Sequence, residues 1–157
     1  MGLDNRDYIG YSESQSPFGG GGSWPPVVKA LLGINVAIFL IQLFSTPPNG
    51  QTSAVQLWLQ LDGPEVYSGQ VWRLLTYAFC HSTGQFLHIV FNMLFLVLFG
   101  RELERRYGSA EFLAFYLVAA LVAGLAFLAL NLVTGRLNPA IGASGSTMAV
   151  AVLFACL

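Results

Sequence analysis

Phe86-Leu87-His88-Ile89-Val90-Phe91-Asn92-Met93-Leu94-Phe95-Leu96-Val97-Leu98-Phe99 is an apolar run broken by one imidazole and one amide, and Arg101-Glu102-Leu103-Glu104-Arg105-Arg106 closes it. The run predicts a membrane-spanning helix over 86–99. A polar side chain at membrane depth costs a few kcal/mol or more, so it faces a bundle interior or a wet cavity and marks a candidate functional site. His88 and Asn92 are four residues apart and share one helical face. Their simplest use is to hydrogen-bond a neighbouring helix, which contributes about 0.6–2 kcal/mol per bond in membranes.

Composition supports a membrane reading of the whole chain. Of its 157 residues 55% are hydrophobic and 10% are charged, against about 25% charged in a soluble domain. Mean hydropathy is +0.62. The net charge of −1 gives no reason to propose nucleic acid as a partner. Cys80 and Cys156 form neither a metal-ligand spacing nor a disulfide framework.

Outward from the central run, Met1–Ser23 is rich in Gly and Ser, ends in the glycines Gly19 to Gly22, and is expected to be a flexible tail. Its Asp4, Asp7 and Glu13 do not fit a secretory signal, and Arg6 does not fit a myristoylation site. Trp24-Pro25-Pro26 precedes an apolar run over 27–44, the first expected span, with Lys29 placed to snorkel. Residues 45–85 carry Trp58, Trp72, Tyr77 and Phe79 among turn signals, and are expected to form a loop partly embedded in the interface. Residues 112–133 can cross about 30 Å of hydrocarbon, and Asn138-Pro139 introduces a fourth apolar run over 141–157. The fold class expected is an all-α, polytopic membrane bundle. Arg101, Arg105 and Arg106 lie between the second and third spans, against Arg73 alone in the first loop, so the positive-inside rule puts that cluster and the N-terminus in the cytoplasm. The start of the fourth helix then opens to the opposite side.

That fourth helix begins with Gly142-Ala143-Ser144-Gly145. Small residues four apart also let membrane helices approach closely, as Gly142 with Ser146, Gly145 with Ala149 and Ala120 with Gly124 could do. The nucleophile elbow of soluble hydrolases needs glycine where this chain has Ser146, so that fold is rejected. The motifs gain meaning from their order: Trp72-Arg73, His88 with Asn92, Gly100 followed by Leu103-Glu104 and Gly108-Ser109, then Gly142-Ala143-Ser144-Gly145. In that order they resemble the rhomboid family of intramembrane serine proteases, over about residues 27–157.

The resemblance implies a six-helix core with an embedded first loop. It implies Ser144 as nucleophile, His88 and Asn92 as donors to an oxyanion, and Gly142 and Gly145 as points of close backbone approach near the serine and substrate. A serine hydroxyl needs a base to take its proton, and each preorganised oxyanion donor is worth about 10²–10³ in rate. The implied partners are transmembrane protein substrates in the lipid bilayer, and no cofactor is implied. The family's base is a histidine on the sixth helix, onto which neither His81 nor His88 maps. Leu157 ends an apolar run without a polar flank, so residues 24–157 are expected to be a partial rhomboid domain, truncated after the start of the fourth helix. Lacking the base, this stretch alone is expected to be inactive. The alternative is a non-catalytic rhomboid-like protein that binds transmembrane clients. A transporter fragment fits less well, since there is no internal repeat and few ionisable residues lie in the runs.

Overall fold

The computed structural model describes residues 24–49 and 51–157, so the tail expected over 1–23 lies outside the described residues. Helix α1 spans Pro26–Ser45. Proline at its first position lacks the N–H that would be orphaned there anyway. The next two orphan donors, Val27 N–H and Val28 N–H, give hydrogen bonds of 2.9 and 2.8 Å to the carboxylate of Glu104, which is buried 76 residues or more further along the chain. An acidic group at a helix N-terminus also matches the helix dipole.

The first loop folds into short helices α2 (Ala54–Leu59), α3 (Gly63–Tyr67) and α4 (Arg73–Thr76), followed by a 3₁₀ turn at Tyr77–Phe79. Arg73 holds them together: its buried guanidinium donates to the carbonyls of Leu57 at 2.7 Å and Gln60 at 2.9 Å, and to the Gln70 side chain at 2.8 Å. Trp58 and Trp72 stack with ring centroids 5.3 Å apart, and both are exposed.

Helix α5 (Phe86–Phe95) passes through a π-helical turn at Leu96–Gly100 into α6 (Arg101–Tyr107). The span expected over 86–99 therefore continues through the charged segment, whose Arg, Glu and Leu are good helix formers. Gly100 does not break it. A Cβ there would come within 3.0 Å of Phe112 and 3.1 Å of Val28, so the glycine is where three helices meet. The break comes at Gly108, with φ +94, before α7 (Ser109–Thr134). Helix α8 (Ser144–Ala155) starts later than the apolar run at 141, because Gly142 has φ +114 and cannot be helical.

Among the described residues three helices, Pro26–Ser45, Phe86–Tyr107 and Ser109–Thr134, are long and apolar enough to cross a membrane. Their outward residues, among them Ile41, Phe44, Val118, Val122 and Val133, are exposed hydrophobics, as lipid-facing surfaces are. The core lies between α1, the α5–α6 helix, α7 and α8, where Val28, Leu31, Leu96, Leu103, Phe112 and Tyr116 are buried. A second cluster, around Leu61, Tyr77 and Ala120, seats the loop on α7. One antiparallel bridge, Leu61 with Ala140, ties the loop to the connection that leads into α8.

Candidate active site

The sequence before Ser144 folds as it does because of what surrounds Gly142. Its N–H donates to the Tyr77 carbonyl at 2.9 Å, and Tyr77 is itself anchored to α7 through its hydroxyl, 2.8 Å from the Ala120 carbonyl. On the other side lies His88. A Cβ on Gly142 would fall 2.6 Å from both Cε1 and Nε2 of that imidazole, so only glycine leaves room for the ring, and only glycine readily adopts this φ. The imidazole of α5 is thereby pressed against the backbone two residues before Ser144.

Asn92, one turn on from His88, is buried. Its Nδ2 donates to the His88 carbonyl at 2.9 Å, and its Oδ1 accepts the Thr147 hydroxyl at 2.9 Å. Ser144 opens α8 in an exposed position. His88, Asn92, Ser144 and Thr147 all line one cleft of about 710 Å³ between α5 and α8, whose walls include Phe91 and Met148. Gly145 makes its close approach elsewhere: a Cβ there would lie 2.6 Å from the Cβ of Ala123, so it lets α8 pack on α7. The small residue Gly124 serves the loop, with Tyr77 and the Leu74 carbonyl 3.1 and 3.4 Å from where its Cβ would be.

The sequence profile of the Rhomboid domain matches residues 68–157, more than half of the chain. The chain belongs to the rhomboid family. It is 32% identical over 101 residues to Rhomboid-like protease 3 of Toxoplasma gondii, a match that covers 62% of this chain and 38% of that protein. Rhomboid-like protease 1 of the same organism is 40% identical over 62 residues, covering 40% of this chain and 20% of the relative. Rhomboid protease GlpG of Klebsiella pneumoniae is 30% identical over 100 residues, covering 63% and 33% respectively. The matched stretch thus spans well under half of each of these curated relatives.

In this rhomboid chain the cleft is supported by groups whose part in it was not read from the sequence. His81, within the loop of residues 45–85, is fully buried. Its Nε2 lies 3.5 Å from the Ala143 N–H, and its ring meets that of His88 edge-on, with centroids 5.3 Å apart. Burial, and secondarily the neighbouring His88, push its pKa down to about 4, the Phe79 backbone acting the other way, so the imidazole is neutral near pH 7. Gln42 of α1 holds the His81 backbone from both sides, donating to its carbonyl and accepting from its N–H at 3.0 Å each. Gln42 and Asn35 are polar residues inside an apolar run, and the rule that singles out His88 and Asn92 applies equally to them. Burial raises the Cys80 thiol to about 12, which leaves it protonated and a poor nucleophile. Among the described residues no three His, Cys, Asp or Glu side chains are grouped to hold a metal ion.

Proposed function

We propose that this chain supplies part of an intramembrane serine endopeptidase that cleaves transmembrane segments of membrane proteins, with Ser144 as nucleophile. The observation that carries the proposal is the convergence of Ser144, His88 and Asn92 on one cleft, with the His88 ring packed on Gly142. In this reading Ser144 Oγ attacks the carbonyl carbon of the client's peptide bond. The negative charge that develops on the carbonyl oxygen takes hydrogen bonds from His88 and Asn92, donors already fixed before reaction. Gly142 lets the backbone before the serine close up on His88, while Gly145 lets the serine-bearing helix pack on α7. Hydrolysis by these groups calls for no cofactor.

The Ser144 proton needs an acceptor. His88 is committed to the oxyanion, and the Nε2 of His81 faces the Ala143 N–H, so the base comes from outside these 157 residues. In this reading the domain extends upstream of the matched stretch to about residue 24, and the hydrogen bonds from the start of α1 to Glu104 support counting that helix in it. The basic end of α6 faces the cytoplasm, and the cleft opens to the opposite side of the bilayer.

Labelling of the full-length protein in detergent by a fluorophosphonate tests the assignment. Ser144→Ala is expected to abolish both labelling and cleavage of a transmembrane substrate; equal labelling of the variant refutes it. The placement of both histidines outside the base role favours one second reading, a non-catalytic protein that binds transmembrane clients. Client binding that survives joint replacement of Ser144, His88 and Asn92, in a full-length protein that never labels, would establish that reading instead.

A further inference from the structure

Asn92 and Thr147 are 55 residues apart in the chain and meet in the interior with an oxygen-to-oxygen distance of 2.9 Å. Such a contact is favourable only with a proton between the two atoms. The other end of the amide lies 2.9 Å from the His88 carbonyl. A carbonyl oxygen can only accept, so the NH₂ end of Asn92 must face it and the Oδ1 end must face Thr147. The Thr147 hydroxyl therefore donates to Asn92, although the carbonyls of Ala143 at 3.1 Å and Ser144 at 3.3 Å compete for its single proton. Both ends of the amide are then fixed, and one Nδ2 hydrogen remains for the cleft that Asn92 shares with Ser144.

We propose that Thr147 is a positioning residue, whose hydroxyl locks the Asn92 amide so that its free N–H is presented to the oxyanion. The proposal rests on the catalytic reading of Ser144, His88 and Asn92 given above. Without the hydroxyl, Oδ1 would be buried with no donor. A flipped amide would then set oxygen against the His88 carbonyl, so the side chain would leave its present rotamer. Thr147 lines the same cleft, but its hydroxyl is spent on Asn92 and on backbone carbonyls, so in this reading it acts through the amide.

The test is steady-state cleavage of a transmembrane substrate by the full-length protein in vesicles. It compares Thr147→Val, Thr147→Ala and Thr147→Ser, each alone and in an Asn92→Ala background. Valine keeps the volume and loses the hydroxyl, while serine and alanine both lose the methyl and differ in the hydroxyl. The expected result is a fall in kcat of about tenfold or more for valine and alanine, with KM within about twofold, since a misaligned donor forfeits part of its 10²–10³ contribution. Serine recovers most of the loss, and valine adds nothing once Asn92 is alanine. An order set by volume, with serine as poor as alanine, overturns the proposal, as do fold-losses that multiply in the double variant. Asn92→Ala with unaltered kcat would instead overturn the oxyanion assignment, and the role of Thr147 with it.

Discussion

At the residue scale, the tightest constraint is at Gly142, where space and backbone angle both demand glycine. Gly142→Ala is expected to destabilise the protein by about 1–3 kcal/mol, because a non-glycine residue is held at positive φ. It is also expected to lower cleavage by about 10² or more, because the new methyl displaces the His88 ring. Thermal unfolding in detergent and the transmembrane-substrate assay measure the two effects, and wild-type values in both would contradict this packing. His88, Asn92 and Ser144 were legible in the sequence because each is a polar group in or at the mouth of an apolar run. His81 and Thr147 were not. His81 stands in a stretch with Ser82, Thr83 and Gln85 that carries no hydropathy contrast, and a threonine in a helix is unremarkable until its partner 55 residues away is known.

At the scale of elements, the apolar runs mark the long helices by composition alone, since the bilayer requires both length and hydropathy. Their ends were less legible. The charged segment 101–106 reads as the flank of a span, but it continues the helix and sends Glu104 back to α1. No local pattern shows that a carboxylate will cap a helix that starts far away. The Ser109 hydroxyl donates to the same carboxylate at 2.7 Å, so Glu104 joins the starts of α1 and α7 at one point. Glu104→Ala leaves buried donors without an acceptor, and is expected to cost about 1–3 kcal/mol, with Glu104→Gln in between. Denaturation midpoints of the three proteins in mild detergent check the order; a midpoint for alanine equal to that of the unaltered protein would remove the capping role.

At the scale of the whole molecule, the all-α membrane class follows from composition, whereas the way the first loop is wound does not. Arg73 is a case in point. In sequence it reads as an interfacial cation beside Trp72, yet it is buried and spends its donors on carbonyls of the loop itself. The proposed orientation belongs to this scale too. In a Cys156→Ser background, single cysteines at Arg106 and Arg136, both exposed and at opposite ends of α7, separate the alternatives. A membrane-impermeant maleimide added to intact cells is expected to label Arg136→Cys and to spare Arg106→Cys. The reverse pattern would place the cleft on the cytoplasmic side.

The bridge between Leu61 and Ala140 is made of two hydrogen bonds of 2.9 Å, and it closes a very long circuit of chain. Two such bonds contribute about 1–3 kcal/mol together, less than the entropy lost in bringing distant segments into register, so the bridge cannot be what draws its ends together. It registers the loop, seated on α7 by its own apolar cluster, against the connection into α8. Ala140 is four residues before Ser144. The bridge therefore ties the register of the loop to the stretch of chain that leads into Ser144, so a change that unseats the loop is expected to be felt at the cleft.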